Sequence, residues 1–217
     1  MAGVIGVKSL ELFLLPLKPL ANGIKMTDQL YKNINNKVKI SEEDFKEFLS
    51  LTKTITVKKN EFFINEGSTA KYIAFINTGV LYSYTINNKG DKHVMQIALE
   101  NHWISDLFSF LTNEPSLFNV QAIETSEIIL LSKENFEKAC NTIPAFERFF
   151  RLLIQNAYVS SQRRISRIYG NSAEERYLKL IKTHPKIIQS VPQLYIASYL
   201  GIKPQSLSRI RKNLYDK

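Results

Sequence analysis

One cysteine, Cys140, in 217 residues excludes an intrachain disulfide and leaves nothing to hold a four-cysteine iron–sulfur cluster. Histidine is nearly as scarce. Of the three, His93 and His102 fall in a strand-rich region and read as surface residues, and His184 lies far beyond them. A barrel-type metal enzyme needs two or three clustered histidines and a carboxylate, so the chain lacks the ligands for one. No apolar run is long enough to span a bilayer. The stretch from Leu10 to Leu20 comes nearest, but Glu11, Pro16, Lys18 and Pro19 interrupt it and it has no clean signal-peptide core. Arginine is missing altogether before Arg148. No nucleophile–base pair, glycine-rich phosphate loop or paired carboxylate stands out, and the chain is read as a non-enzyme.

What is present in excess is positive charge. There are 29 Lys and Arg against 20 Asp and Glu, a net charge of +9 that suits an anionic partner. Much of it is C-terminal, including Arg163, Arg164, Arg167, Arg176, Lys179, Lys203, Arg209, Arg211 and Lys212. The length allows one large or two small domains with a core that needs no staples. The lone cysteine fits a reducing compartment, and a cytoplasmic location is expected.

The texture of the chain changes twice. Residues 1–26 form an extension of uncertain status, because Met26 looks like a natural start. Ser41-Glu-Glu-Asp44 has a capping-box pattern opening a short amphipathic helix, with Phe45, Phe48 and Leu49 inward. From about Thr54 the runs become short and rich in β-formers. Candidate strands are Thr54–Lys58, Glu61–Ile64, Tyr72–Asn77, Val80–Ile86, Lys92–Leu99, Val120–Glu124 and Glu127–Ser132. Asn87-Asn-Lys-Gly90 is a hairpin turn signal, with further turns at Glu66-Gly67 and Thr78-Gly79. Many short strands with regular turns predict a sandwich, jelly roll or small barrel. The pattern turns helical again after Lys133. A domain of residues 27–140 is expected, followed by a long helical segment, 141–170, and a C-terminal domain, 171–217.

The C-terminal segment carries the clearest local signal. Val191 to Leu214 reads as a helix, a tight turn at Gly201 and a second short helix. Ile196, Ala197 and Leu200 form the apolar face of the first helix, and Ile202, Leu207 and Ile210 anchor the turn and the second. Gly201 supplies a positive φ, and Pro204 sits in the first turn of the second helix, where its missing N–H costs nothing. This is the layout of a helix-turn-helix, whose second helix enters the DNA major groove. The second helix is basic and rich in hydroxyls.

The helix from about Pro144 to Tyr169 is some 26 residues, or roughly 39 Å long. Its apolar positions recur every three or four residues, and a small domain cannot cover all of them. A two-fold dimer through Phe146, Phe150, Leu153 and Ala157 is expected, because a helix-turn-helix reader needs paired recognition helices one DNA turn apart.

A β-roll, a long helix and a helix-turn-helix in this order resemble the catabolite-activator/Fnr (Crp/Fnr) family of bacterial transcription regulators over residues of about 27–214. Tyr72-Ile-Ala-Phe-Ile-Asn-Thr-Gly79 resembles the family's β-roll strand and its turn glycine. Ser172-Ala-Glu-Glu-Arg-Tyr-Leu178 resembles its hinge and the first helix of its DNA domain. Gln193 to Lys212 resembles its helix-turn-helix. The fold class implied is α+β: an N-terminal double-stranded β-helix (a jelly roll like the cyclic-nucleotide-binding domains), a long dimerisation helix and a C-terminal helix-turn-helix with no clear wing.

The resemblance also implies site residues. Base reading falls to Pro204, Gln205 and Arg209. Gln205 pairs with adenine and Arg209 with guanine O6 and N7. Lys203, Ser206, Ser208, Arg211 and Lys212 are expected to hold phosphates, and Gln193 and Tyr195 to touch the backbone from the first helix. In cyclic-nucleotide-binding members a Gly-Glu pair and a later Arg-Ser or Arg-Thr pair grip the ribose and the cyclic phosphate. Here Ser105-Asp106 and Ser116-Leu117 stand in those places, so cyclic AMP is not expected to bind in the usual way. Ser161 and Gln162 fall near the long-helix positions that touch the base. No cofactor or metal is expected beyond an unidentified small-molecule effector. The implied partners are double-stranded DNA, a second copy of the chain and RNA polymerase, with no membrane. The alternative reading is a β-roll that binds a ligand or partner and carries a vestigial helix-turn-helix.

Overall fold

The computed structural model describes residues 23–215. The expected extension therefore lies almost wholly outside the described residues. Its proposed end at residue 26 falls within helix α1 (Gly23–Asn35), which runs across that boundary without a break. Helix α2 (Glu42–Ser50) begins where the capping pattern places it. The Ser41 hydroxyl accepts from the Asp44 N–H at 3.0 Å, and Phe45 and Phe48 are buried.

All seven expected strands form: β1 (Thr52–Val57), β2 (Phe62–Ile64), β3 (Tyr72–Thr78), β4 (Leu81–Ile86), β5 (Lys92–Ala98), β7 (Asn119–Ala122) and β8 (Ser126–Ser132). Between β5 and β7 lie two elements that the sequence pattern did not reveal, the two-residue strand β6 (Trp103–Ile104) and helix α3 (Leu107–Thr112). Neither is long enough to show a period. The strands form two antiparallel four-stranded sheets, ordered β1-β8-β3-β6 and β2-β7-β4-β5. Sequence neighbours β7 and β8 lie in different sheets, as a jelly roll requires. The first core fills the space between the sheets. Ala74, Phe75, Ile76, Leu81, Ala98, Val120 and Ile128 belong to it, together with residues of α1, α2, helix α4 (Lys133–Thr142) and the start of α5 (Pro144–Gly170).

Helix α5 is 27 residues long. Its first turns supply Phe146, Phe149 and Phe150 to the β-roll core, where Phe136 meets Phe150 edge-on at 4.3 Å and Phe48 stacks on Phe146 at 4.7 Å. This corrects the expected dimer face. Phe146 and Phe150 are 0% and 6% exposed and are consumed by their own protomer. Leu153 is half-buried against the same core, and Ala157 is exposed. Hydrophobic residues left in solvent lie further along α5: Tyr158, Val159, Ile165 and Tyr169. The helix ends at Gly170, with Asn171 as its C-cap.

The C-terminal unit consists of α6 (Ala173–Thr183), α7 (Pro185–Ser190), α8 (Gln193–Tyr199) and α9 (Pro204–Tyr215). It shares a second core with the outer face of the β4–β5 hairpin. Tyr82, Tyr84 and Val94 pack there against Tyr177, Leu180, Ile196, Ala197 and Leu207. Strand β4 is consequently buried on both faces, with Leu81 turned inward and Tyr82 and Tyr84 outward.

Candidate nucleic-acid interface

The turn between α8 and α9 follows from its residues. Gly201 has φ +68°, a conformation an L side chain adopts at a cost, although a Cβ there would meet only ordinary contacts with Ile168. The Gly201 N–H donates to the Ser198 carbonyl at 2.9 Å, and the Ile202 N–H to the Ala197 carbonyl at 3.0 Å. Ala197, Leu207 and Ile210 are buried at the crossing of the helices. Arg176 of α6 bolts the turn to the end of α5. Its Nε donates to the Leu200 carbonyl at 3.0 Å, and one terminal nitrogen reaches the carbonyls of Ile168 and Asn171. The start of α6 is held by a full capping box, Ser172 with Glu175. Backbone and side-chain hydrogen bonds from Ser172, with a smaller contribution from Asn171, keep the Glu175 carboxyl below its usual range.

On α9 the sequence-predicted residues divide by exposure. Lys203, Pro204, Gln205, Ser208, Arg209 and Lys212 are exposed, whereas Ser206 and Arg211 are half-buried. Residues 205, 208, 209 and 212 share one face of the helix, opposite Leu207 and Ile210. None of the basic groups on this face has an ion-pair partner among the described residues; the ion pairs there are Arg151–Glu147 and Lys186–Glu100.

The first helix is used differently from expectation. Gln193 is exposed, but Tyr195 turns toward the β-roll and stacks on Tyr82 with ring centroids 4.5 Å apart. Tyr82 in turn stacks on Tyr84 at 4.8 Å, and Lys92 Nζ lies 4.1 Å from the Tyr84 ring centroid and 2.9 Å from the Tyr82 hydroxyl. Both tyrosine hydroxyls donate to the Gln121 side-chain oxygen. Burial first, and then the neighbouring tyrosines, hold the Tyr82 hydroxyl in its protonated form well above the ordinary range. A tyrosine committed to this stack is not free for a DNA backbone. The sequence missed this contact because Tyr82, Lys92 and Tyr195 are joined only through the folded sheet.

The cassette positions are closed upon themselves. Asp106 is 1% exposed and caps α3, accepting from the Ser109 N–H at 3.2 Å. Its other oxygen accepts from the Ser116 hydroxyl at 2.8 Å and the Leu117 N–H at 2.9 Å. The Ser105 hydroxyl donates to the Tyr72 carbonyl at 2.8 Å. Ser161 and Gln162 are exposed on α5. Among the described residues, no three His, Cys, Asp or Glu side chains gather as metal ligands, and no helix is long and apolar enough to cross a membrane.

Comparison with known proteins agrees with this architecture. Residues 54–142 match the cyclic nucleotide-binding domain family. Electron transport regulator A of Shewanella oneidensis is 23% identical over 165 residues, covering 71% of this chain and 65% of that protein. The fumarate and nitrate reduction regulatory protein of Vibrio cholerae is 23% identical over 167 residues, with the same coverage. Thus the chain spans just under two thirds of these relatives. Among solved structures, FixK2 from Bradyrhizobium japonicum superposes with a TM-score of 0.67 at 16% identity, covering 76% of this chain and 85% of that one. The Thermus thermophilus catabolite activator protein superposes with a TM-score of 0.55 at 12% identity, covering 85% and 87%. Residues 54–142 thus match a cyclic nucleotide-binding domain, and the jelly roll, long helix and C-terminal helices of the chain share the fold of FixK2 and the catabolite activator protein.

Proposed function

We propose that the protein is a dimeric, sequence-specific DNA-binding transcription regulator, acting in the cytoplasm, whose sensor does not hold cyclic AMP in the usual way. The observation that carries the DNA reading is the α9 surface. Gln205, Ser208, Arg209 and Lys212 are exposed together on a helix whose opposite face is buried, and their positive charge is unpaired among the described residues. Such a helix can lie in a major groove with Gln205 and Arg209 at base edges and Lys203 and Lys212 on phosphates.

Dimerisation is supported by the second half of α5. Tyr158, Val159, Ile165 and Tyr169 are 64%, 43%, 47% and 87% exposed, an apolar stripe at helical spacing on a segment that its own protomer leaves uncovered. Pairing there would set two α9 helices side by side.

The cassette supports the statement about cyclic AMP. A cyclic phosphate is gripped by an arginine, and a ribose by a free carboxylate. Here the carboxylate of Asp106 is buried and already takes three donors, while Ser116 and Leu117 offer no cation. Asp106 occupies, from within the chain, the donors an anionic ligand would need.

The test is selection of bound duplexes from a random DNA pool by the purified protein at two salt concentrations. Enrichment of an inverted repeat with half-sites one helical turn apart is expected. Binding without enrichment that vanishes with salt would reduce α9 to a phosphate contact, and the alternative of a vestigial helix-turn-helix would then stand.

A further inference from the structure

A cleft of about 890 Å³ opens where the β-roll, α5 and the C-terminal unit meet, within the size range of small-molecule sites. It meets the cassette positions only at Ser105; Asp106, Ser116 and Leu117 do not line it. Its apolar wall includes Ile97 and Trp103 of the β-roll and Leu153 of α5. The Trp103 ring is anchored by its Nε1, which donates to the Asn33 side-chain oxygen at 3.0 Å.

The charge of the lining is one-sided. Six Lys and Arg side chains face the cleft and no Asp or Glu does. Two of the arginines are occupied by neutral groups: Arg176 by the carbonyls already described, and Arg164 by the Tyr199 carbonyl and the Tyr199 ring at 5.3 Å. Arg163 and Arg167 on α5 and Lys179 on α6 have neither an ion-pair nor a hydrogen-bond partner for their side chains among the described residues. Like charges lining one cleft, beside an apolar wall, repel one another until an anion enters.

We propose that this cleft binds a small organic anion. Its phosphate or carboxylate groups would rest on Arg163, Arg167 and Lys179, and its aromatic or apolar body would lie against Trp103 and Leu153. The ligand touches the sensor, the long helix and the DNA-binding unit at once. Its affinity therefore depends on how these three are arranged, which is the requirement for an effector that shifts their arrangement. The site does not depend on the DNA-binding reading.

The test is calorimetric titration of the full chain with adenosine triphosphate, inorganic pyrophosphate and adenosine, which separate charge from aromatic surface. Adenosine triphosphate is expected to bind more tightly than pyrophosphate, and adenosine not at all. The exposed substitutions Arg167→Gln and Lys179→Gln together should weaken adenosine triphosphate at least tenfold, while Arg209→Ala on α9 leaves it unchanged. The proposal is overturned if both anions bind the double variant as well as the parent, if Arg209→Ala weakens them equally, or if neither binds. Displacement of the bound anion by duplex DNA that persists in the Arg209→Ala variant would also overturn it, because the cleft would then itself be part of the phosphate-backbone surface. Loss of DNA selection with anion binding intact would count against the regulator reading alone.

Discussion

Ser198, on the first helix of the helix-turn-helix, is built into the edge of the β-roll sheet that ends in β5. Its hydroxyl accepts from the Val94 N–H of β5 at 2.9 Å and donates to the Lys92 carbonyl of the same strand at 2.8 Å. Strand β5 is the outer strand of its sheet, so these backbone groups would otherwise face solvent or another chain. A single side chain of the C-terminal unit thus does for the sheet edge what a further strand would do.

Ser198→Ala removes both hydrogen bonds, each contributing about 0.5–1.5 kcal/mol. The expected result is faster hydrogen exchange at the Val94 amide and a lower urea midpoint, with the two sheets otherwise intact. An unchanged exchange rate at Val94 would show that the docking does not rest on this residue.

Asp106→Ala strips three donors of a charged acceptor in a buried site, and a loss of about 1.5–3 kcal/mol in unfolding free energy is expected. Cyclic AMP should not bind either the parent or this variant in the usual way, because no arginine is supplied. Saturable, micromolar cyclic AMP binding to the parent would refute the account of the closed cassette.

Gly79→Ala should be far worse than Gly90→Ala. Gly79 has φ +94°, and an added Cβ would lie 2.7 Å from the Ser126 Cα and closer still to its hydroxyl. Gly90 has φ +83° but open space around it. Only the left-handed conformation, about 1–2 kcal/mol, is at stake at Gly90. At Gly79 a backbone clash is added, which a smaller residue at 126 cannot relieve. Thermal unfolding of the two variants measures the difference, and equal melting temperatures would contradict it.

Burial, and secondarily Glu137 and Glu147, push the Cys140 thiol up to about 11. At pH 7 the reactive thiolate is then on the order of one part in ten thousand. Reaction of the native protein with an aromatic disulfide reagent at neutral pH should be much slower than that of the urea-unfolded chain, and should accelerate as the pH is raised toward 11. Rapid native reaction at pH 7 would place Cys140 among redox-responsive thiols.

On the DNA side, Arg209→Ala is expected to cost about 1–3 kcal/mol on the selected site and to relax preference at one base pair. Lys212→Ala should weaken all sequences alike and lower the salt dependence by about one unit. Equal losses on every sequence with Arg209→Ala would make it a phosphate contact. Tyr195→Ala should act chiefly on the docking of the C-terminal unit, read as increased proteolysis between residues 171 and 215.

The sequence alone determined whatever depends on neighbours along the chain. Alternating strands, turn glycines, the Ser172–Glu175 capping box and the Ala197–Gly201–Leu207 spacing are local. Their physical cause is the backbone period and the φ that each residue allows, so they are legible without a fold. Only the tertiary structure decided which face of α5 is spent on the core. The periodicity of Phe146 and Phe150 is the same whether the partner is the chain's own sheet or a second protomer. Nor could the sequence show that Tyr195 and Ser198 are committed to β4 and β5, that Asp106 is closed by Ser116 and Leu117, or that unpaired cations from α5 and α6 line one cleft. Burial, desolvation and charge balance belong to groups brought together from distant parts of the chain, and their energies are set by a geometry that no local pattern records.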